Sequence, residues 1–340
     1  METSLQEKLQ GWRRQLHQHP ETGFEEVQTS DYVANILKTL GMDVHRNIGG
    51  TGLVANLKVG NGTRAIGLRA EMDALNIAEQ APGRLYASCN AGKMHDGLFE
   101  RFPVDAIFGV HNMPGLPAGS ISTRSGGVMA SEDNFVIHIK ARGTHAARPH
   151  MGVDPVVIAA QIVLALQTIV SRNLDPSQSA VISCTEIITD GLRNVIPSNV
   201  VIKGDTRSYS PDVQRLLATR MREVSEGICR THGAECTFEY THEFVPTVNT
   251  PAFVDVAAAA ASMVVGADKV DANVQPMMIS EDFGAFLQVV PGNFAFIGNG
   301  IDSDDGGTPL HNAGYDFNDS ILTTGARYFA EIARMQLAAR

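Results

Sequence analysis

Histidines and carboxylates gather where apolar runs of this sequence end. Phe108-Gly109-Val110-His111-Asn112 sets a histidine just past the strand-like run 104–110, and Pro309-Leu310-His311-Asn312 sets another in a loop rich in glycine and aspartate. Arg69-Ala70-Glu71-Met72-Asp73 adds two carboxylates at i and i+2, which face the same way if the chain is extended there. Imidazole and carboxylate groups converging at strand ends suit a divalent metal such as Zn, Mn, Co or Ni. Spacing alone leaves each histidine open to a plainer reading, as a surface or hydrogen-bonded structural residue. His17 and His19 are poorer candidates, because residues at i and i+2 on a helical segment do not face each other.

A second set of polar residues lies farther along. Gly143-Thr144-His145 sits in a glycine-flanked turn, Arg193-Asn194-Val195-Ile196-Pro197 precedes a strand, and Asp205-Thr206-Arg207 ends it. Gly, Asn and Pro punctuate loops for backbone reasons alone. A polar cluster facing a cleft is the functional alternative, and sequence spacing does not decide between them.

The elements that must position these residues follow from periodicity. Residues 5–16 and 29–40 read as amphipathic helices. Residues 52–59 and 64–68 are apolar and β-branched around Gly60-Asn61-Gly62, a hairpin-like signal. From Asn134 a half-buried strand alternates Phe135, Ile137 and Ile139 with polar residues. A helix opened by Asp154-Pro155 follows, then strands at 180–187 and 199–205, a helix opened by Ser210-Pro211, and a strand at 236–240. That β-α-β-β-α-β order is a compact unit, with one sheet face covered by two helices. Helix and strand alternate again from 252 to 338. The expectation is an α/β protein: a mostly parallel-sheet domain from residues 1–129 and 246–340, interrupted by an inserted α+β domain at 130–245.

A net charge of -10 argues against a nucleic-acid partner, since affinity for phosphates rests on Lys and Arg. The four cysteines lack C-x-x-C spacing, and the polar first 15 residues show no signal-peptide core. The apolar stretch 156–170 is short for a bilayer and carries Gln161 and Gln167. A cytoplasmic protein with no membrane partner is expected.

His17-Gln18-His19-Pro20-Glu21-Thr22-Gly23-Phe24-Glu25-Glu26 closely resembles the opening motif of the hippurate hydrolase and auxin-conjugate hydrolase branch of the aminoacylase/carboxypeptidase metallopeptidases. The resemblance continues in order through Gly49-Gly50-Thr51-Gly52, residues 67–75, Gly92-Lys93-Met94-His95, residues 108–112, residues 143–150, Asn194 to Pro197, Ser280-Glu281-Asp282-Phe283 and Tyr315-Asp316-Phe317-Asn318. It implies a metal-dependent amidohydrolase cleaving N-acyl amino acids of hippurate or N-acetyl type. It also implies a homodimer formed through the inserted domain, which serves as dimerisation and lid module. Carried over by motif, His111 and His311 resemble metal ligands. His145 resembles the histidine that approaches the reacting carbonyl, in its own or the partner subunit's site. Asn194 and Arg207 resemble groups that orient substrate, with arginine suited to grip a carboxylate bidentately.

The sequence departs from the family in one place. After G-K-M-H, relatives continue A-C-G-H-D-G-H, then a helix, an apolar strand and Q-P-A-E-E, before E-D-G-L-F. Here Lys93-Met94-His95 runs directly into Asp96-Gly97-Leu98-Phe99. On the family pattern the missing stretch supplies a Cys and a His ligand, a glutamate ligand and the adjacent general base. In an alternative alignment, His95-Asp96-Gly97 is the remnant of H-D-G. Two of five expected ligands survive, so metal binding is expected to be weak or lost unless Glu71, Asp73, His95 or Asp96 substitute. Two functional readings therefore stand: an amidohydrolase working through substitute ligands, and a catalytically impaired relative that retains dimerisation or ligand binding.

The missing stretch also held a strand, so the catalytic sheet is expected to show a gap or an exposed edge. The catalytic domain should then be the less stable half. Limited proteolysis is expected to cut outside 130–245 first, and early nicks inside that region would refute the ranking.

Overall fold

The computed structural model describes residues 4–74 and 98–338. The chain divides into two compact units: Met1–Ser125 with Asn249–Val274 and Val289–Arg340, and Gly126–Val248 with Gln275–Gln288. The sequence reading drew its boundaries at 129/130 and 245/246. The units divide a few residues outside them, and 275–288 goes with the second unit.

The first unit opens with helices α1 (Leu5–Gln18) and α2 (Val27–Thr39), strands β1 (Asp43–Ile48), β2 (Gly52–Asn56) and β3 (Ile66–Arg69), a single turn α3 (Leu98–Arg101), and strands β4 (Ala106–Pro114) and β5 (Ile121–Ser122). The second unit contributes β6 (Gly126–Met129), β7 (Glu132–Lys140), β8 (Thr144–His145), α4 (Pro155–Arg172), β9 (Ala180–Thr189), β10 (Val195–Ile196), β11 (Asn199–Ser208), α5 (Pro211–His232) and β12 (Glu235–Phe244). Then come β13 (Thr247–Asn249), α6 (Pro251–Val265), β14 (Val270–Asp271), α7 (Phe283–Leu287), β15 (Gly292–Gly300) and α8 (Leu322–Leu337).

A five-stranded sheet in the order β14-β5-β15-β4-β3 organises the first unit. β3 runs parallel to β4, β4 parallel to β15, and β5 parallel to β14, with β15 against β5 the antiparallel pair. The mostly parallel sheet expected from the sequence is therefore present. Parallel strands are covered on both faces, which explains why β15 is buried at every residue. Phe108, Ile121, Ala257, Ala260, Ala295, Tyr328 and Ile332 build its core.

The expected hairpin around Gly60-Asn61-Gly62 is not formed. β2 turns back on β1 instead, in an antiparallel two-stranded sheet of its own, and β3 joins β4. The true turn, at 49–51, takes Gly49 and Gly50 at positive φ, and Asn47, at the irregularity near the end of β1, has positive φ as well. β1 escaped notice because its sequence, Asp-Val-His-Arg-Asn-Ile, is mostly polar. Among the described residues β3 is the terminal strand of the larger sheet, with Leu68 exposed.

The opening motif turns out to brace this unit. Glu21 accepts hydrogen bonds from the Gln28 and Thr29 amides and caps α2, where carboxylates also favour the helix dipole. Nearly buried Glu26 accepts from the Thr51 hydroxyl, tying α2 to the β1–β2 turn. The Glu21 carbonyl receives the Ala74 amide at 3.0 Å, so the same motif holds the segment that follows β3.

The second unit is a four-stranded antiparallel sheet, β12-β7-β11-β9, packed against α4 and α5. This is the β-α-β-β-α-β arrangement of the sequence reading. Asp154 caps α4 through the Val156 and Val157 amides, and Ser210 caps α5 through Asp212. At 18 residues α4 is long and apolar enough to cross a membrane by composition alone. Here Ile158, Ile162, Leu166 and Ile169 bury one of its faces against the sheet. Gly204 in β11 has no room for a side chain: a Cβ would lie 2.0 Å from the Ser183 carbonyl and 2.5 Å from the Phe135 ring.

α1 buries no residue fully, so polar contacts must hold it. Gln6, Gln10, Arg13 and Arg14 form one stripe of the helix, and all four bond to Asp319. Burial pushes the Asp319 carboxyl up, but Gln10, Arg13 and Arg14 outweigh that and hold it below its ordinary value. A depressed carboxylate stabilises the fold above its unfolded value, and that contribution disappears as pH falls through the folded one. Asp319→Asn should therefore cost about 2 kcal/mol at neutral pH. It should also flatten the acid limb of stability against pH in chemical unfolding, and an unchanged acid limb would refute the assignment.

Candidate metal and substrate site

His111 lies within β4, one residue deeper than the sequence placed it, because the strand continues to Pro114. Its Nδ1 is 2.6 Å from the Asn112 carbonyl oxygen. A carbonyl only accepts, so Nδ1 carries the proton and Nε2 presents its lone pair. That tautomer is the one a metal needs, with the backbone contact fixing the ring.

Glu71 reaches the same level by register. Arg69 of β3 stands beside Gly109 of β4, so two further residues along each chain bring Glu71 level with His111. Their ligand atoms lie within 4.8 Å of each other. Arg69 Nη2 donates to Glu71 Oε1 at 2.8 Å and steadies the carboxylate. Asp73 is exposed on the following stretch, while His95 and Asp96 fall outside the described residues.

His311 sits at φ 63, in the left-handed region that a non-glycine residue rarely adopts. Its loop is held at both central strands. Asn112 of β4 donates from its side-chain amide to the Tyr315 hydroxyl. Fully buried Asn299 of β15 donates to the Gly306 carbonyl at 2.7 Å and accepts two 3.0 Å bonds from Asn318, one from its backbone amide and one from its side-chain amide. Gly306 has φ 82, and a Cβ there would lie 2.2 Å from the Asn299 carbonyl. Burial pushes the Tyr315 phenol up to about 12, so it stays neutral at working pH. His311 itself is exposed and joins no group of three or more ligand-type side chains among the described residues.

In the second unit, β8 and β10 bring His145 and Asn194 together. His145 pairs with Val195, and the Ala146 amide donates to the Asn194 carbonyl at 3.0 Å. His145 Nδ1 accepts the Ala147 amide at 3.1 Å, which leaves the proton on Nε2. An exposed N–H is the group needed to stabilise a developing oxyanion. Arg207 lies on β11 and is engaged by two carboxylates, Glu132 and Asp205, each at 3.0 Å. Ser280 donates to the same Glu132 oxygen that Arg207 Nη1 reaches.

Sequence reasoning gave no role to Asn299, Asp319 or Glu281. Asn299 and Asp319 carry no local signal, since their partners lie elsewhere in the chain. Glu281, 7% exposed and accepting the Phe283 amide, was visible only as part of a motif.

The fold and these strand-end groups define a class: two-unit α/β proteins with polar groups at the carboxyl ends of a mostly parallel sheet. Residues 84–335 match the peptidase family M20/M25/M40, and the chain belongs to that family. It is 32% identical to the hippurate hydrolase of Campylobacter jejuni, covering 97% of this chain and 96% of that protein. It is 30% identical to the N-acetyl-L-cysteine deacetylase of Bacillus subtilis, covering 98% and 89%. Among solved structures it resembles YxeP of Bacillus subtilis, described as a dinuclear metal binding peptidase of the M20 family. The TM-score is 0.79 at 26% identity, covering 97% of this chain and 98% of that one. The alignment with the hippurate hydrolase runs over 375 positions, more than the 340 residues present here, so that relative carries positions without a counterpart in this chain.

The two histidines are set up oppositely, and this is directly measurable. Two-bond proton–nitrogen correlation spectra should report His111 as the Nδ1–H tautomer and His145 as the Nε2–H tautomer. Finding Nε2 protonated in neutral His111 would remove its fitness as a ligand.

Proposed function

We propose that this chain is a metal-dependent amidohydrolase for N-acyl amino acids of the hippurate or N-acetyl type. The observation that carries the reading is the His111 imidazole, with Nε2 unprotonated and its ligand atom within 4.8 Å of that of Glu71. One neutral imidazole and one carboxylate are donors suited to Zn, Mn, Co or Ni. His111 and Glu71 would hold the ion, with His311 the further family position. A bound ion would polarise the amide carbonyl and acidify water there. Three or four protein ligands are usual, so a site resting on these residues binds its metal more weakly than a complete one.

The remaining steps belong to side chains. His145 donates from Nε2 to the oxygen that gains charge at the amide carbon, in its own or the partner subunit's site. Asn194 and Arg207 orient the substrate carboxylate, for which Arg207 must share its guanidinium with Glu132 and Asp205. A homodimer through the second unit is part of the reading. It is supported by β9, the terminal strand of its sheet among the described residues, with Ile187 and Ile188 exposed. Val157 and Leu164 add an exposed apolar face on α4. The scarcity of cysteines supports a cytoplasmic setting.

The alignment longer than the chain favours a second reading, in which substrate binding and dimerisation persist without turnover. One experiment separates the two. Purified protein supplied with Mn or Zn should retain the metal and hydrolyse N-acetyl- or N-benzoyl-amino acids. His111→Ala should abolish both properties, and Glu71→Gln should weaken metal binding by on the order of tenfold or more. Protein that binds neither ion and shows no turnover would establish the second reading.

A further inference from the structure

Two of the cysteines meet at the end of α5. The helix closes on Gly233 in the left-handed conformation, and the Ala234 amide returns to the Cys229 carbonyl at 2.9 Å. The chain enters β12 immediately afterwards, so Cys236 comes back alongside the last turn of the helix it has just left. Both side chains point into the same layer. Cys229 is fully buried in the core of the second unit, and Cys236 is half-buried against that core. Cys236, Phe238 and Tyr240 share the helix-facing side of β12 by strand alternation. Arg222, two turns before Cys229 on the same stripe of α5, donates to the Phe238 carbonyl at 3.2 Å and lies over the Phe238 ring. The helix stripe and the strand face are therefore in register, and they place Cys229 beside Cys236.

The pair is also asymmetric. The Cys229 thiol beside it holds Cys236 below the ordinary thiol value against burial and Glu226, with Arg222 assisting. The neighbouring Cys236 and burial push Cys229 up. Cys236 is the more accessible sulfur, the one a small oxidant reaches first, and the buried Cys229 is positioned to resolve it.

We propose that Cys229 and Cys236 form a reversible disulfide within the second unit when the protein meets a peroxide. The Cys236 thiolate attacks one peroxide oxygen; the S–O bond forms, the O–O bond breaks and the departing hydroxide takes up a proton. Cys229 then loses its proton and attacks the Cys236 sulfur; the S–S bond forms, the S–O bond breaks and water leaves. Two thiols are oxidised and one hydrogen peroxide is reduced to two waters. The link joins the end of α5 to the start of β12 and closes a short loop, which stabilises the unit chiefly by restricting its unfolded chain.

The test uses the full wild-type chain with hydrogen peroxide, followed by blocking of free thiols and tryptic mapping. Cleavage after Arg230 separates the two cysteines, so the disulfide appears as a linked pair of peptides carrying Cys229 and Cys236. Dithiothreitol should release them, and oxidation should raise the unfolding temperature by on the order of 5 °C. Cys229→Ser should leave Cys236 as a sulfenic acid that a dimedone probe captures. Cys236 going on to sulfinic or sulfonic acid while Cys229 stays a free thiol would overturn the proposal. So would linkage of either residue to Cys89, to Cys184 or to a second chain.

Discussion

Parallel pairing of β4 with β15 is the constraint on which the first unit depends. Parallel strands cannot be joined by a tight turn, so the chain must leave the sheet and return, and both faces end up covered. β15 pays for its central position with complete burial, from Gly292 to Gly300. Because β3, β4 and β15 run the same way, their carboxyl ends meet on one side. Glu71, His111 and Asn299 arrive there together from segments distant in sequence, and open α/β sheets bind ligands at that end.

Burying polar ends of strands is costly unless each group finds a partner. The asparagines solve this here. Asn112 holds Tyr315, and Asn299 holds the loop through Gly306 and Asn318, so the excursion carrying His311 is fastened to both central strands. α1 then locks the far end of that loop through Asp319. The opening motif belongs to the same bracing system: Glu21 caps a helix, Glu26 binds Thr51, and the Glu21 carbonyl receives Ala74. Residues of the motif that makes the sequence most recognisable thus stiffen the frame.

The two histidines of the candidate site are held as opposed tautomers. His111 points its proton at a carbonyl and keeps a lone pair, while His145 accepts an amide and keeps a proton. Neither property is written in the words histidine or loop. Motifs single out both residues in the sequence, whereas spacing does not set their tautomers, since the deciding partners are backbone groups whose placement depends on strand register and turn shape. Sequence alone misreads the glycine-rich 60–62 segment as a hairpin because two apolar runs around a turn signal look alike whether they pair with each other or with different strands. Only long-range pairing told them apart.

Sequence by itself determined what depends on near neighbours. The caps at Asp154 and Ser210, the period of α4, the alternation of β7, the β-α-β-β-α-β order and the family motifs all rest on residues a few positions apart. Tertiary structure decided what depends on contacts across the chain. Examples are the partner of β2, the level of Glu71 beside His111, the meeting of Cys229 with Cys236 across a helix end, and the grip of Arg13 on a carboxylate 306 residues away. The physical reason is one of range. Propensity and capping act within a turn or two of backbone, whereas register, burial and tautomer are set by whichever distant segment closes the sheet or fills the core.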